Sequence, residues 1–231
     1  MNIVRDPSSD FIRQITPKYE LMFHGTGGGT YTGADATLDI PDKINVPYAL
    51  DTDGTLIERF DPRYYSYHAG NNNHNKNTLA IEIVGWVYVD FHDGFFWTWT
   101  GKKVAPEQVV KLKQFRGHEY FFKLTPKQEL ALPEFIQMAI EMFPTIKTLL
   151  THAEVNTNRS DFPPDFEQIY SQIDLFNNNL LIDKDSIKEG TEKNYSDADI
   201  QKRINFLVKK YGYHNNELSR LIKYRNEKRG N

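Results

Sequence analysis

The chain has 231 residues, of which 39% are hydrophobic, 13% aromatic and 26% charged, with a net charge of -3. That balance excludes a disordered chain, and the near-neutral total argues against a nucleic-acid coat or a membrane-surface protein. Zero cysteines exclude a disulfide framework, a thiolate nucleophile and any sulfur-ligated metal, so a metal has to be held by histidine and carboxylate.

The length fits one substantial domain plus an appendage. Residues 201–231 carry nine Lys/Arg against two Glu, a local +7, which leaves -10 on the first 200 residues. The first ten residues lack the apolar core of a signal peptide, and no apolar run approaches the roughly 20 residues of a membrane helix. The expectation is a protein made in the cytoplasm with no signal peptide and no membrane span.

In chain order, residues 19–24 read as a buried strand ending at His24 and running into a glycine-rich turn, residues 25–29. Residues 46–50 and 55–60 read as strands around an Asp51-Thr52-Asp53-Gly54 turn, the pattern of a hairpin. Residues 78–84 are almost wholly apolar, as in a central strand covered on both faces. Glu82 is the anomaly inside that strand. A lone carboxylate there is costly unless used, and burial raises its pKa toward that of a general base.

Residues 86–101 are aromatic and β-prone around a His92-Asp93-Gly94 turn, and read as an inserted hairpin. A helix starts with Thr125 as N-cap, Pro126 at the first helical position and Gln128 closing a capping box; Pro133 is expected to kink it. Residues 145–150 read as a strand feeding into His152. The polar stretch 177–195 reads as a linker, and 196–231 as a basic two-helix module. The fold class expected is α/β, a central mixed sheet flanked by helices, with residues 1–176 as the catalytic domain.

Four of the seven histidines, His74, His92, His118 and His214, sit in polar or inserted stretches without partners at ligand spacing and read as surface or hydrogen-bonded residues. His24 and His152 differ, because each follows an apolar strand-like run and precedes turn chemistry. Asp161 lies nine residues beyond His152 across a polar loop. Two imidazoles and a carboxylate, with a fourth position left to water, are the ligand set of a catalytic zinc site.

Local motifs sharpen this. The segments Phe23-His24-Gly25-Thr26-Gly27, Tyr67-His68-Ala69-Gly70, Asn77-Thr78-Leu79-Ala80-Ile81-Glu82 and Thr151-His152-Ala153-Glu154-Val155, the last continuing to Arg159 and Asp161, occur in that order. Together they resemble the type-2 family of zinc-dependent N-acetylmuramoyl-L-alanine amidases, which includes phage endolysins and peptidoglycan recognition proteins. The resemblance implies Zn2+ held by His24, His152 and Asp161, Glu82 as catalytic base, and His68 as a substrate or supporting contact. It places Arg159 where the family commonly has a lysine that stabilises the oxyanion. It also implies peptidoglycan as substrate, cleaved between N-acetylmuramic acid and L-alanine.

The absence of a signal peptide leaves three settings open, a phage lysin that reaches the wall after release, a virion component or a cytoplasmic recycling amidase, and the basic tail favours the lysin. The basic module is then a candidate contact for anionic wall polymers, with no nucleic-acid partner. The sequence departs from the family at Asp161-Phe162-Pro163-Pro164, where Asp-Pro-Gly-Pro is usual, and Tyr48 is out of register with a tyrosine some members use. The insertion, residues 86–121, has no evident counterpart. Two other readings compete: a non-catalytic peptidoglycan-binding module, against which Asp161 argues, and an ADP-ribosyltransferase-like enzyme suggested by His24-Gly25-Thr26. The latter leaves the segments around His68 and His152 unexplained.

Overall fold

The computed structural model describes residues 1–8, 11–38, 44–177, 202 and 205. The strands are β1 (Ile3–Arg5), β2 (Ile12–Ile15), β3 (Glu20–Gly25), β4 (Tyr48–Leu50), β5 (Leu56–Glu58), β6 (Tyr64–Tyr65), β7 (Thr78–Ile83), β8 (Asp90–His92), β9 (Phe95–Trp97), β10 (Lys103–Val104), β11 (Val109–Phe115), β12 (His118–Phe122) and β13 (Thr148–Thr151). The helices are α1 (Tyr31–Leu38), α2 (Asn72–Asn77), α3 (Pro126–Met142), α4 (His152–Val155) and α5 (Glu167–Asn177). The chain divides into two compact units, Met1–Gln168 and Ile169–Asn231.

The first unit is built on a six-stranded sheet of order β1-β5-β4-β7-β3-β13. Strands β4, β7, β3 and β13 run parallel, while β5 is antiparallel to β4, so the sheet is mixed as expected. The two most apolar strands lie inside it: every residue of β7 is buried, as are Leu21, Met22 and Phe23 of β3. Strands covered on both faces need such continuous runs. On one face Tyr48 packs edge-on against Phe135 of α3, ring centroids 5.4 Å apart. On the other, Ala34 and Leu38 of α1 meet Val46 and Ala80, and Met22 and Leu150 meet Ala69.

Helix α3 begins as its sequence dictates, with Thr125 Oγ1 accepting from Gln128 N–H and the Gln128 side chain accepting from Thr125 N–H. Gln128 also donates through Nε2 to the carbonyls of Leu50 and Val84, so the helix start is tied to the ends of β4 and β7. Pro133 lies inside the helix, which continues through it to Met142. The strand expected over 145–150 begins only at Thr148, and those expected over 46–50 and 55–60 shorten to β4 and β5. Short strands end where partner registers end, which local composition does not encode.

The insertion contains the expected hairpin, β8-β9, closed by Asp93 and Gly94 with φ of 51° and 77°, the two positive values a type I′ turn requires. It adds β10 to make three strands, then a second hairpin, β11-β12. Linker residues 178–195 and the basic module lie outside the described residues, except Lys202 and Asn205, which are helical. Among the described residues no helix is long and apolar enough to cross a membrane.

Candidate active site and metal centre

The candidate site stands at the carboxyl ends of the parallel strands, where α/β sheets leave a crevice for ligands. Ala49 of β4 pairs with Glu82 of β7, and Glu82 pairs with His24 of β3. Thr151, last residue of β13, pairs with Phe23, so His152 follows at the level of His24. Register partners share a face, and the row Glu82, His24, His152 is therefore a consequence of strand order. The His24 and His152 ring centroids are 4.3 Å apart.

Asp161 is delivered by a loop instead of a strand. Its Oδ2 lies 3.2 Å from His152 Nδ1 and accepts from the Gly25 N–H at 3.3 Å. Glycine is needed here, because a Cβ at position 25 would stand 2.8 Å from Val87 Cγ2. Ligating atoms of His24, His152 and Asp161 all lie within 4.8 Å of one another, and all three residues are buried. Two donors each about 2.0 Å from a tetrahedral zinc are about 3.3 Å apart, close to the His152–Asp161 separation.

His68 stands behind His24, its Nδ1 2.9 Å from His24 Nε2. It is held there by Asn75 of α2, whose Oδ1 accepts from the backbone N–H groups of both His68 and Ala69 at 3.0 and 2.8 Å. Burial, then the neighbouring His152 and other cationic groups, hold both His24 and His68 well below the usual histidine pKa. Neutral imidazole is the form that ligates metal. For Asp161, burial works upward, but the hydrogen bond and charge of His152, with His24, outweigh it and leave the carboxyl below its ordinary value.

Glu82 is the converse case. Burial, reinforced by Asp161 and opposed by Arg159 and Arg59, pushes its pKa up to about 8. Its Oε2 is buried without a hydrogen-bond partner, as are His68 Nε2 and His152 Nε2. Buried polar atoms are nearly always paired, and the unpartnered Glu82 oxygen stands in register beside His24, next to the His-His-Asp cluster. The donor set and its spacing fit a zinc ion.

Beyond Asp161 a groove of about 490 Å3 opens, lined among others by Thr26, Tyr88, Trp99, Arg116, His118 and Arg159. Arg159 is exposed on its wall. Trp99 is 67% exposed, yet its indole N–H is fixed to Gly27 O at 2.8 Å. His118 stacks on Tyr88, centroids 3.5 Å apart.

The structure thus gathers His24, His68, Glu82, His152 and Asp161, with Arg159 at the groove. His74 is a hydrogen-bonded residue as read, its Nδ1 2.7 Å from a Glu20 carboxylate oxygen, and His118, half-buried, also lines the groove. Sequence pattern missed Asn75, Tyr88, Trp99 and Arg116; the density of aromatics after residue 86 was the available signal for two of them. Tyr48 stays out of the site, on the sheet's opposite face.

A mixed α/β sheet whose parallel edge presents a His-His-Asp cluster beside a raised carboxylate can hold a metal ion and move a proton. The family described as N-acetylmuramoyl-L-alanine amidase matches residues 16–163, and the chain belongs to that family. Among solved structures it is similar to the N-acetylmuramoyl-L-alanine amidase LysC from Clostridium intestinale, with 14% identity over 75% of this chain and 98% of that one, at a TM-score of 0.49. It is similar also to AmpDH3 from Pseudomonas aeruginosa, with 14% identity, 95% of each chain covered and a TM-score of 0.49. No curated protein matches the sequence.

Proposed function

We propose that this chain hydrolyses the amide bond between N-acetylmuramic acid and L-alanine in peptidoglycan, using zinc held by His24, His152 and Asp161. The observation that carries this reading is the convergence of three buried ligating atoms within 4.8 Å beside the unpartnered Glu82 Oε2. Zinc in that cluster supplies an acidified water and a polarised scissile carbonyl.

The rest is done by the chain. Glu82 accepts the attacking water's proton at its carboxylate and returns it to the leaving nitrogen of L-alanine. Its pKa of about 8 belongs to the metal-free site; a nearby cation favours the ionised base. Arg159, exposed at the groove wall, offers its guanidinium to the oxyanion that develops on the carbonyl. His68 fixes the orientation of the His24 ring, the supporting contact that metal-bound histidines commonly have.

The setting that suits this chemistry is a phage lysin or virion component acting on the wall after release, with the basic residues of 201–231 attracting anionic wall polymers. A non-catalytic wall-binding role is disfavoured by the same cluster of His24, His152 and Asp161 beside the buried Glu82 carboxylate. The test is mass spectrometry of digested peptidoglycan together with metal analysis. The expected products are stem peptides with a free L-alanine amino terminus and about one zinc per chain. Intact lactyl-peptide bonds after prolonged digestion by the zinc-loaded protein would refute the reading.

A further inference from the structure

The second hairpin of the insertion, β11-β12, ends in a two-residue turn, Arg116 and Gly117, between the paired Phe115 and His118. Both turn residues have positive φ, 50° and 90°. Such turns favour Asn-Gly, because a side chain at φ near +50° is strained unless it is short and polar. Arginine is thus an unfavourable choice for this turn as a turn. Its use is explained by where the guanidinium goes.

Arg116 Nη2 donates to Ala153 O at 2.8 Å and Nη1 donates to Asn156 O at 2.8 Å. Both carbonyls belong to α4 or its C-cap. A helix of four residues leaves most of its carbonyls without intrahelical partners, and basic side chains at a C-terminus can satisfy them. Ala153 is the neighbour of His152. Asn156 begins the loop to Asp161: its carbonyl also accepts from Arg159 N–H at 3.1 Å, and its side chain accepts from Asn158 N–H at 3.0 Å. One planar fork therefore grips both the turn that carries His152 and the start of the loop that carries Arg159 and Asp161.

We infer that Arg116 is a positioning residue for the metal centre, through which the inserted hairpin holds the His152 turn and the 156–161 loop at ligating separation. It acts through the carbonyls of Ala153 and Asn156 and is not one of the ligating residues. The inference rests on the proposed metal centre and not on the identity of the bond cleaved.

The test compares the full chain with Arg116→Asn, Arg116→Gly and Arg116→Lys. Asparagine and glycine both accept the positive φ, so each keeps the turn while removing the guanidinium. Metal-stripped proteins are titrated with Zn2+ against a chromophoric chelator, and the Tm of each metal-free form is recorded. The expected result for Asn and Gly is a metal-free Tm no lower than that of the parent, with zinc affinity reduced about tenfold, the lower end for loss of a supporting group. Lysine, which can donate to the same carbonyls as a single point charge, should recover part of that loss.

Unchanged zinc affinity in both the Asn and Gly variants overturns the inference. So does a loss of affinity accompanied by an equal loss of metal-free stability, since that is a folding effect. If the parent chain itself binds no zinc, the proposed metal centre fails; if it binds zinc and the variants match it, only the role of Arg116 fails.

Discussion

Glu82 was legible as a functional residue because a carboxylate between Ile81 and Ile83 contradicts the pattern of the strand around it. The structure gives the contradiction a location, in register with His24 and with a buried, unpartnered oxygen. Replacing the base while keeping its shape, Glu82→Gln, should lower hydrolysis by about 10²–10⁴-fold with zinc content unchanged, measured by product release and metal analysis. The same residue shapes metal-free stability. Its pKa is about 8 folded against 4.5 as the ordinary value, so between those values the folded state binds more protons than the unfolded state. Stability from this group is fully present below 4.5 and declines as pH rises toward about 8. His24 and His68 have the opposite sign: their depressed pKa values mean that stability falls as pH drops below 6.5. Denaturant titrations of the metal-free chain across this range should therefore show that Glu82→Gln flattens the alkaline decline and leaves the acid one. Not every site residue announced itself so clearly. Asn75 orders His68 through two backbone bonds, yet in the sequence it is one of five asparagines within residues 71–77.

Elements were legible where their ends carry their own chemistry. Thr125, Pro126 and Gln128 mark the start of α3 unambiguously, and both capping-box bonds form. Helix α2, by contrast, is polar throughout and shows no apolar period; its N-cap bond from Asn73 N–H to Asn71 Oδ1 does the work that pattern usually does. Helix α3 also offers a way to separate stability from chemistry. Thr125 Oγ1 accepts at the cap and donates to Thr52 O at 2.6 Å, so Thr125→Ala should cost about 1–2 kcal/mol. Calorimetric or denaturant unfolding would show this, with kcat of the zinc-loaded enzyme little changed. Gln128→Leu removes the reciprocal cap acceptor, that of Thr125 N–H, and also leaves the carbonyls of Leu50 and Val84, at the ends of β4 and β7, without their Nε2 donor. Because β7 carries Glu82, this substitution should reduce stability more than Thr125→Ala and reduce kcat as well. Equal effects of the two on kcat would detach the helix start from the site.

At the scale of the molecule, the mixed sheet was legible as a class, but its strand order was not, since pairing depends on contacts far apart in sequence. The order matters: it is β7 beside β3 beside β13 that turns three scattered residues into one row. Charge is the other property that exists only at this scale. The first 200 residues carry -10 and the last 31 carry +7, so an anionic wall repels one part and attracts the other, over a distance of about 8 Å at physiological salt. The proposed catalytic and ligating residues and the family match all lie before residue 164. A chain truncated after Asn177 should therefore retain hydrolysis of a small soluble muropeptide while sedimenting less with purified walls rich in anionic polymer. For the full chain, sedimentation should weaken as salt rises from about 0.05 to 0.5 M, because both attraction and repulsion are screened but attraction by the basic segment is what brings the protein down. If truncation left wall sedimentation and its salt dependence unchanged, wall attachment would belong to the catalytic unit, and the groove walled by Trp99 and Arg159 would be the place to look for it.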